Sequence, residues 1–237
     1  MAREIAEHVA GDLIDAGALA VVLVGSVARG DARPTSDIDL IALGTGPEYR
    51  LLVRDDRQVS VSWRTPADVR AAWLEPSDAG GAVPAWRRAI LLADPSGEAA
   101  RLVAEAVAWD WSAIDADADR WVAEQITGFA EEVHRLVGQA DGGSPRMAAV
   151  MRSVLAVRLA PVLAVHHRIL YDSENRLWDL VAEAEGSQWA RTQDDALAMV
   201  PSAALDLYAA AARRTAHLLD AEQAAVVSTA LTVAGLA

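Results

Sequence analysis

The chain of 237 residues contains no cysteine, so neither a disulfide nor a thiolate-held metal is open to it. Lysine is missing as well, and all 21 basic residues are arginine. That removes the P-loop lysine and the Schiff-base nucleophile from the available chemistries. Phenylalanine occurs once against eight tryptophans, which leaves alanine and the aliphatic residues to fill the core. No basic segment leads into an apolar stretch at the start of the chain, and no apolar run reads as long enough to cross a bilayer. A cytoplasmic protein without a membrane partner is therefore expected. Positive charge is also scarce. A net charge of −13 speaks against a nucleic-acid partner, since duplex binders display clustered cations. It is compatible with a small cationic substrate drawn in by the field of the whole protein, and equally with ordinary solubility charge.

The densest information lies in Gly25-Ser26-Val27-Ala28-Arg29-Gly30 and, a short polar stretch later, Ser36-Asp37-Ile38-Asp39-Leu40. The apolar run 18–24 reads as a buried strand that ends directly at the Gly-Ser pair. A second apolar run, 38–43, opens on two aspartates one residue apart. In a strand, residues i and i+2 share a face, so Asp37 and Asp39 project side by side. Like charges held that close repel unless a cation neutralises them. Carboxylates on rigid backbone suit Mg²⁺, which takes hard oxygen ligands and usually shares itself with substrate phosphates. Gly25 and Gly30 let a phosphate chain approach the backbone N–H groups. Ser26 adds a hydroxyl, Arg29 could reach the same phosphates, and Ser36 stands at the turn into the carboxylate strand. Phosphate cradle and metal clamp together describe phosphoryl or nucleotidyl transfer. The plainer reading is a glycine turn with aspartates at the start of an edge strand.

This arrangement resembles the nucleotidyltransferase superfamily that includes DNA polymerase beta, whose signature is Gly-Ser, a spacer, then Asp-x-Asp. Ten residues separate Ser26 from Asp37 here, which fits. Within the superfamily the likeness runs furthest towards the kanamycin nucleotidyltransferases. Gln58-Val59-Ser60-Val61-Ser62-Trp63 looks like their third catalytic strand, and His166-His167-Arg168-Ile169-Leu170-Tyr171 like a segment of their helical domain. The resemblance implies an α/β N-terminal domain with a mixed sheet, over residues 1–110, and a C-terminal α-helical bundle over 111–237. It implies Asp37 and Asp39 as metal ligands and catalytic residues. It further implies a homodimer, a nucleoside triphosphate substrate and Mg²⁺ as cofactor. The family's glutamate base falls at Glu131, with Glu132 one residue on as the alternative; the competing reading is a surface pair of Glu131 with Arg135. One departure stands out. The strand that usually supplies a third carboxylate presents Ser60 and Ser62, and Asp55 or Asp56 could replace it only if the hairpin bent inward.

Elsewhere the pattern is coarser. A helix over 3–16 precedes the first strand, a hairpin joins 49–53 to 58–63, and Thr65 or Pro66 opens a helix. The stretch 75–84 reads as loop, 87–93 as strand, and 102–109 as helix. Beyond about residue 112 the periodicity is helical throughout. His166 and His167 diverge by about 100° on a helix and cannot chelate one metal together, so a packing or subunit-contact role suits them better. Trp63 and Trp86 could stack on a base, though core packing is the commoner use of tryptophan. Together these readings describe a Mg²⁺-dependent enzyme moving a nucleoside monophosphate onto a hydroxyl of a small, cationic acceptor such as an aminoglycoside. The alternative is a non-catalytic, antitoxin-like member of the superfamily that kept the fold as a binding module.

Overall fold

The computed structural model describes residues 1–140 and 142–236. The chain divides into two compact units, one made of 1–113 with 170–174 and the other of 114–169 with 175–237.

The first unit is α/β. Helix α1 (Ala2–Asp15) leads into β1 (Ala20–Val24), the short helix α2 (Gly25–Arg29), β2 (Ile38–Leu43), β3 (Tyr49–Arg54) and β4 (Arg57–Arg64). Helices α3 (Pro66–Leu74) and α4 (Pro76–Arg87), strand β5 (Ile90–Ala93) and helix α5 (Glu98–Ala108) complete it. The five strands lie in the order β3-β4-β2-β1-β5, and the sheet is mixed. β2 and β4 run parallel, while the β1–β2, β1–β5 and β3–β4 pairs are antiparallel. Apolar side chains line both faces, as a sheet covered on both sides demands. One face packs Val21, Leu23, Ile38, Leu40, Val59 and Val61 against α1, and the other packs Val22, Val24 and Leu43 against α3, α4 and α5.

Local chemistry explains several joints. Asp55 and Asp56 both take positive φ (49° and 59°), the pairing that a two-residue hairpin turn requires and aspartate tolerates. They stay exposed at that tip, so neither replaces the absent third carboxylate. Thr65 and Asp68 form a reciprocal capping box at the start of α3, which fixes the helix end.

The stretch 75–84 that reads as loop is helical from Pro76 onward, as part of α4 (Pro76–Arg87). Its two glycines and internal proline weaken helix propensity, and tertiary packing overrides them. The Gly80 carbonyl accepts a hydrogen bond from the Tyr171 N–H at 2.8 Å. A Cβ on Gly81 would come within 3.0 Å of the Tyr171 ring. The glycines thus make a groove in which a later segment of the chain lies.

The second unit is helical: α6 (Asp115–Ala140), α7 (Pro145–His166), α8 (Leu177–Glu185), α9 (Ser187–Leu197), α10 (Ala203–Thr215) and α11 (Ala221–Val233). α7 packs on α6 and α10, with Leu155, Leu159 and Leu163 fully buried. Contrary to the expectation from sequence, α7 is by length and composition apolar enough to cross a membrane, with mean hydropathy 1.8. Arg152 and Arg158 interrupt the run, and 56% of the window is buried inside the protein. Tyr208 on α10 is buried and donates to the Ile126 carbonyl at 3.2 Å, and burial pushes its hydroxyl pKa well up. Unit two also buries the Glu185 carboxylate between His167 at 2.6 Å and Arg214 at 3.1 Å.

If α7 is a core helix of this unit, Leu159→Ala should cost about 2–5 kcal/mol, the usual loss for a buried leucine. Val157→Ala, at a position 46% exposed, should stay within about 0.5 kcal/mol. Urea unfolding of the two variants checks the contrast, and equal losses would contradict the packing.

Candidate active site

β1 ends at Val24 and the backbone turns at once into α2, with Gly25 at φ +70°. The turn expected from sequence is therefore a single helical turn, closed by Gly30 at φ +82°. The Gly30 N–H reaches the carbonyls of Ser26 and Val27, and the Asp31 N–H that of Ser26, an ending that satisfies carbonyls the helix leaves open. Gly30 thus has a capping role in the chain itself.

Gly25 is required twice over. Its φ lies where side chains are strained, and a Cβ there would stand 2.1 Å from Asp39 Oδ2. The register explains the contact. Val24 of β1 pairs with Asp39 of β2, and Asp39 lies beside Ser60 of β4. The Ser60 hydroxyl donates to Asp39 Oδ1 at 2.8 Å. One carboxylate is thus held between a glycine backbone on one side and a hydroxyl on the other.

Burial raises the Asp39 pKa; the Ser60 hydrogen bond lowers it, the neighbouring Asp37 charge raises it and Arg29 lowers it. The net shift is upward, as expected for a carboxylate withdrawn from water beside a like charge. The residues before Asp37 are pinned from two directions. The Arg33 N–H donates to the Ser36 hydroxyl at 2.9 Å, and Arg57 Nη2 donates to the Ser36 carbonyl at 2.7 Å.

Arg29 sits at the end of α2 with its side chain 12% exposed. Its Nη1 donates to the Asp172 carbonyl at 2.5 Å and its other nitrogens face Asp31. Sequence reasoning missed Asp172, 143 residues away, and no local signal announces it. Asp37, Asp39, Gly25, Ser26 and Ser36 gather at one end of β1 and β2. Glu131 lies on α6 in the second unit, 69% exposed and paired with Arg135. Its neighbour Glu132 is 21% exposed, with Oε2 buried and unpartnered.

Among the described residues no group of three or more His, Cys, Asp or Glu side chains is assembled as a metal cage. Asp39, its pKa raised by burial and then by the charge of Asp37 just before β2, still fits with Asp37 a Mg²⁺ that takes its remaining ligands from phosphate and water. Cavity size does not single this place out. A cavity of about 660 Å³ lined by Gly46, Trp63, Arg64 and Glu75 opens at the far ends of β2 and β4, and neither aspartate lines it.

Part of the first unit is similar to a known family. Residues 11–75 match the family model for the nucleotidyltransferase domain. The match spans β1 to β4 and the turns between them, so both carboxylates lie inside the matched stretch while β5 lies outside it, and the likeness suggests transfer of nucleotidyl groups in general. A solved structure similar to this chain is the nucleotidyltransferase-like protein from Exiguobacterium sibiricum 255-15. It is 11% identical, with a TM-score of 0.54, over 98% of this chain and 77% of that one. That likeness concerns the fold. No curated protein gives a significant match.

The two glycines that bound α2 separate by experiment. Gly30→Ala meets nothing within 4 Å, so it should cost only the left-handed strain of about 1–2 kcal/mol. Gly25→Ala adds a collision with Asp39 and should cost measurably more in urea unfolding. Equal costs would mean that the Gly25–Asp39 contact is not close.

Proposed function

We propose that the protein is a Mg²⁺-dependent nucleotidyltransferase that moves a nucleoside monophosphate from a nucleoside triphosphate to the hydroxyl of a small acceptor. The observation that carries this reading is the Asp39 carboxylate, beside the charge of Asp37, pressed against the Gly25 backbone where β1 ends. A site that brings bare backbone and two anions together suits a polyphosphate with a divalent cation.

In this reading Asp37 and Asp39 hold the metal, while Ser26 and the backbone around Gly25 orient the β- and γ-phosphates. The metal, when bound, lowers the charge barrier to attack and steadies the leaving oxygen. The acceptor oxygen attacks the α-phosphorus, forming a P–O bond as the α–β bridging P–O bond breaks. Pyrophosphate leaves with the bonding pair, and the hydroxyl proton passes to a base. Arg29 lowers the cost of ionising Asp39, so it acts on the carboxylate as well as on α2. The acceptor's basic character is supported by the net charge of −13, which an aminoglycoside and an apolar-faced amino alcohol meet equally. A homodimer and an intracellular setting belong to the same proposal.

Glu131 or Glu132 on α6 supplies the base. Both carboxylates pair with Arg135, but Glu131 is 69% exposed whereas Glu132 is 21% exposed and keeps Oε2 buried without a hydrogen-bond partner, which leaves an acceptor oxygen on Glu132. Separate Glu131→Gln and Glu132→Gln variants test the assignment. The base is the one whose replacement slows transfer by about 10² to 10⁴, and indifference of both would remove the role from α6.

Asp39→Asn tests the metal site and the electrostatics together. The folded-state pKa of Asp39 is raised, so its favourable contribution is complete below the unfolded pKa and is lost as pH rises through the folded value. At neutral pH the ionised group is a net cost in the metal-free protein. The asparagine keeps an oxygen for Ser60 and removes that charge. Transfer from triphosphate to a panel of hydroxylated amines, followed by mass spectrometry, should vanish, while the melting temperature without Mg²⁺ should rise. Retained turnover would refute the metal assignment, and a lower melting temperature would refute the electrostatic one.

A further inference from the structure

Across the sheet, the site residues and their neighbours form a single row. Val24 of β1 pairs with Asp39 of β2, Asp39 with Ser60 of β4, and Ser60 with Leu51 of β3. Residues paired in this way share a face. Tyr49 stands opposite Ser62 and Val53 opposite Gln58, so Tyr49, Leu51 and Val53 continue the face that carries Asp39. They are exposed to water, Tyr49 by 59%, Leu51 by 52% and Val53 by 64%. The opposite face of the same strand behaves normally, with Leu52 packed against the core.

The order of the row matters for the chemistry of the site. In an in-line displacement the attacking and leaving oxygens stand on opposite sides of the phosphorus. On the reading given above, the leaving pyrophosphate lies by Gly25 and Ser26, at the β1 side of the carboxylates. The attacking hydroxyl then comes from the β4 and β3 side. Strands are spaced about 4.8 Å apart, so Leu51, two strands from Asp39, stands about 10 Å away. That is the distance at which the body of a small acceptor would lie. Ser60 and Ser62 carry small side chains, which keep the surface between low.

We propose that the exposed stripe Tyr49, Leu51 and Val53 is the acceptor-binding wall of the site, and that the acceptor is an amphiphilic alcohol with an aromatic or branched-alkyl face rather than a uniformly polar polyamine. This rests on the nucleotidyltransferase reading and narrows its substrate. An apolar stripe that continues the face of Asp39, in register with Ser60, has a place in the reaction that a stray surface patch would lack. Tyr49 contributes a ring edge and a hydroxyl at the outer end of the wall, where an acceptor amine or hydroxyl can be met.

The test uses the full-length protein with Mg²⁺ and ATP or GTP, and two sets of hydroxylated amines as probes. One set is polar throughout, as in kanamycin and glucosamine. The other carries an apolar face, as in tyramine, phenylglycinol, leucinol and sphingosine-length amino alcohols below their aggregation threshold. Nucleotidylated products are read by mass spectrometry, triphosphate affinity by calorimetry, and mass in solution by sedimentation. Transfer should be confined to the apolar-faced set. In the variant Leu51→Gln with Val53→Thr, both exposed changes, kcat/KM for that set should fall about tenfold or more, with triphosphate affinity unchanged.

Efficient transfer to the polar set would overturn the proposal, as would an unchanged kcat/KM in the variant. Intact Mg²⁺–triphosphate binding with no transfer to any apolar-faced member overturns it too. So does a wild-type dimer that the double variant dissociates, since the stripe would then be a subunit contact. Absence of Mg²⁺–triphosphate binding in the wild type would instead sink the nucleotidyltransferase reading beneath it.

Discussion

The carboxylate of Asp39 is the group around which the first unit is arranged. A charge withdrawn from water is costly unless it is hydrogen-bonded or paired, and this one has a like charge, Asp37, nearby. Its position is fixed from both sides by backbone pairing: antiparallel to β1, where Gly25 leaves no Cβ, and parallel to β4, where Ser60 donates a hydrogen bond. Both partners are small. A side chain at residue 25 would displace the carboxylate, and without the Ser60 hydroxyl Oδ1 would lose its bonded partner. The sheet thus holds, on rigid backbone, a charge whose unfavourable environment a bound cation would relieve. This is the usual bargain of a functional site, in which local stability is given up for preorganisation.

The identity of residue 60 shapes what such a site can do. A third carboxylate there would supply a further anionic ligand and could anchor a second cation. A serine supplies a neutral donor that is already committed to Asp39. Two carboxylates still suffice to bring one cation and a triphosphate together. The task of taking the acceptor's proton then falls to a side chain elsewhere, which is why the glutamates of α6 carry so much of the proposal. The neutral strand also leaves the surface towards β3 without charge, and there the exposed face of the sheet turns apolar.

Much of this arrangement was legible in the sequence because it depends on short-range periodicity. The spacing of Asp37 and Asp39, the Gly-Ser pair after an apolar run, the hairpin over 49–63 and the capping box at Thr65 all express rules of period two or of a single turn. Ser60 could be recognised as inward-facing, yet its hydrogen bond to Asp39 follows only from the parallel register of β2 with β4. α4 was hidden for a different reason: glycine and proline lower helix propensity, and the gain that overrides it lies in the groove for Tyr171. The helical run of α7 was legible from its period, while its apolar length emerges only when the helix is taken whole from Pro145 to His166.

What lay furthest out of reach is the dependence of α2 on residues 170–174. Arg29, the last residue of that helix, bonds to the Asp172 carbonyl, while Arg88 faces the Asp172 carboxylate at 3.5 Å and the Tyr171 N–H donates to the Gly80 carbonyl. The chain must leave the first unit, build α6 and α7, return for five residues and leave again. Closing a loop of that length costs entropy that grows only slowly with length, but the contact cannot form before the intervening chain exists. Residues 1–113 therefore contain every strand of the sheet and both carboxylates, yet not the partner that buries Arg29. Since Arg29 is also the cation that lowers the Asp39 pKa, the segment at 170–174 reaches the electrostatics of the site through one guanidinium. The first unit has its sheet without that segment, and its charge balance only with it.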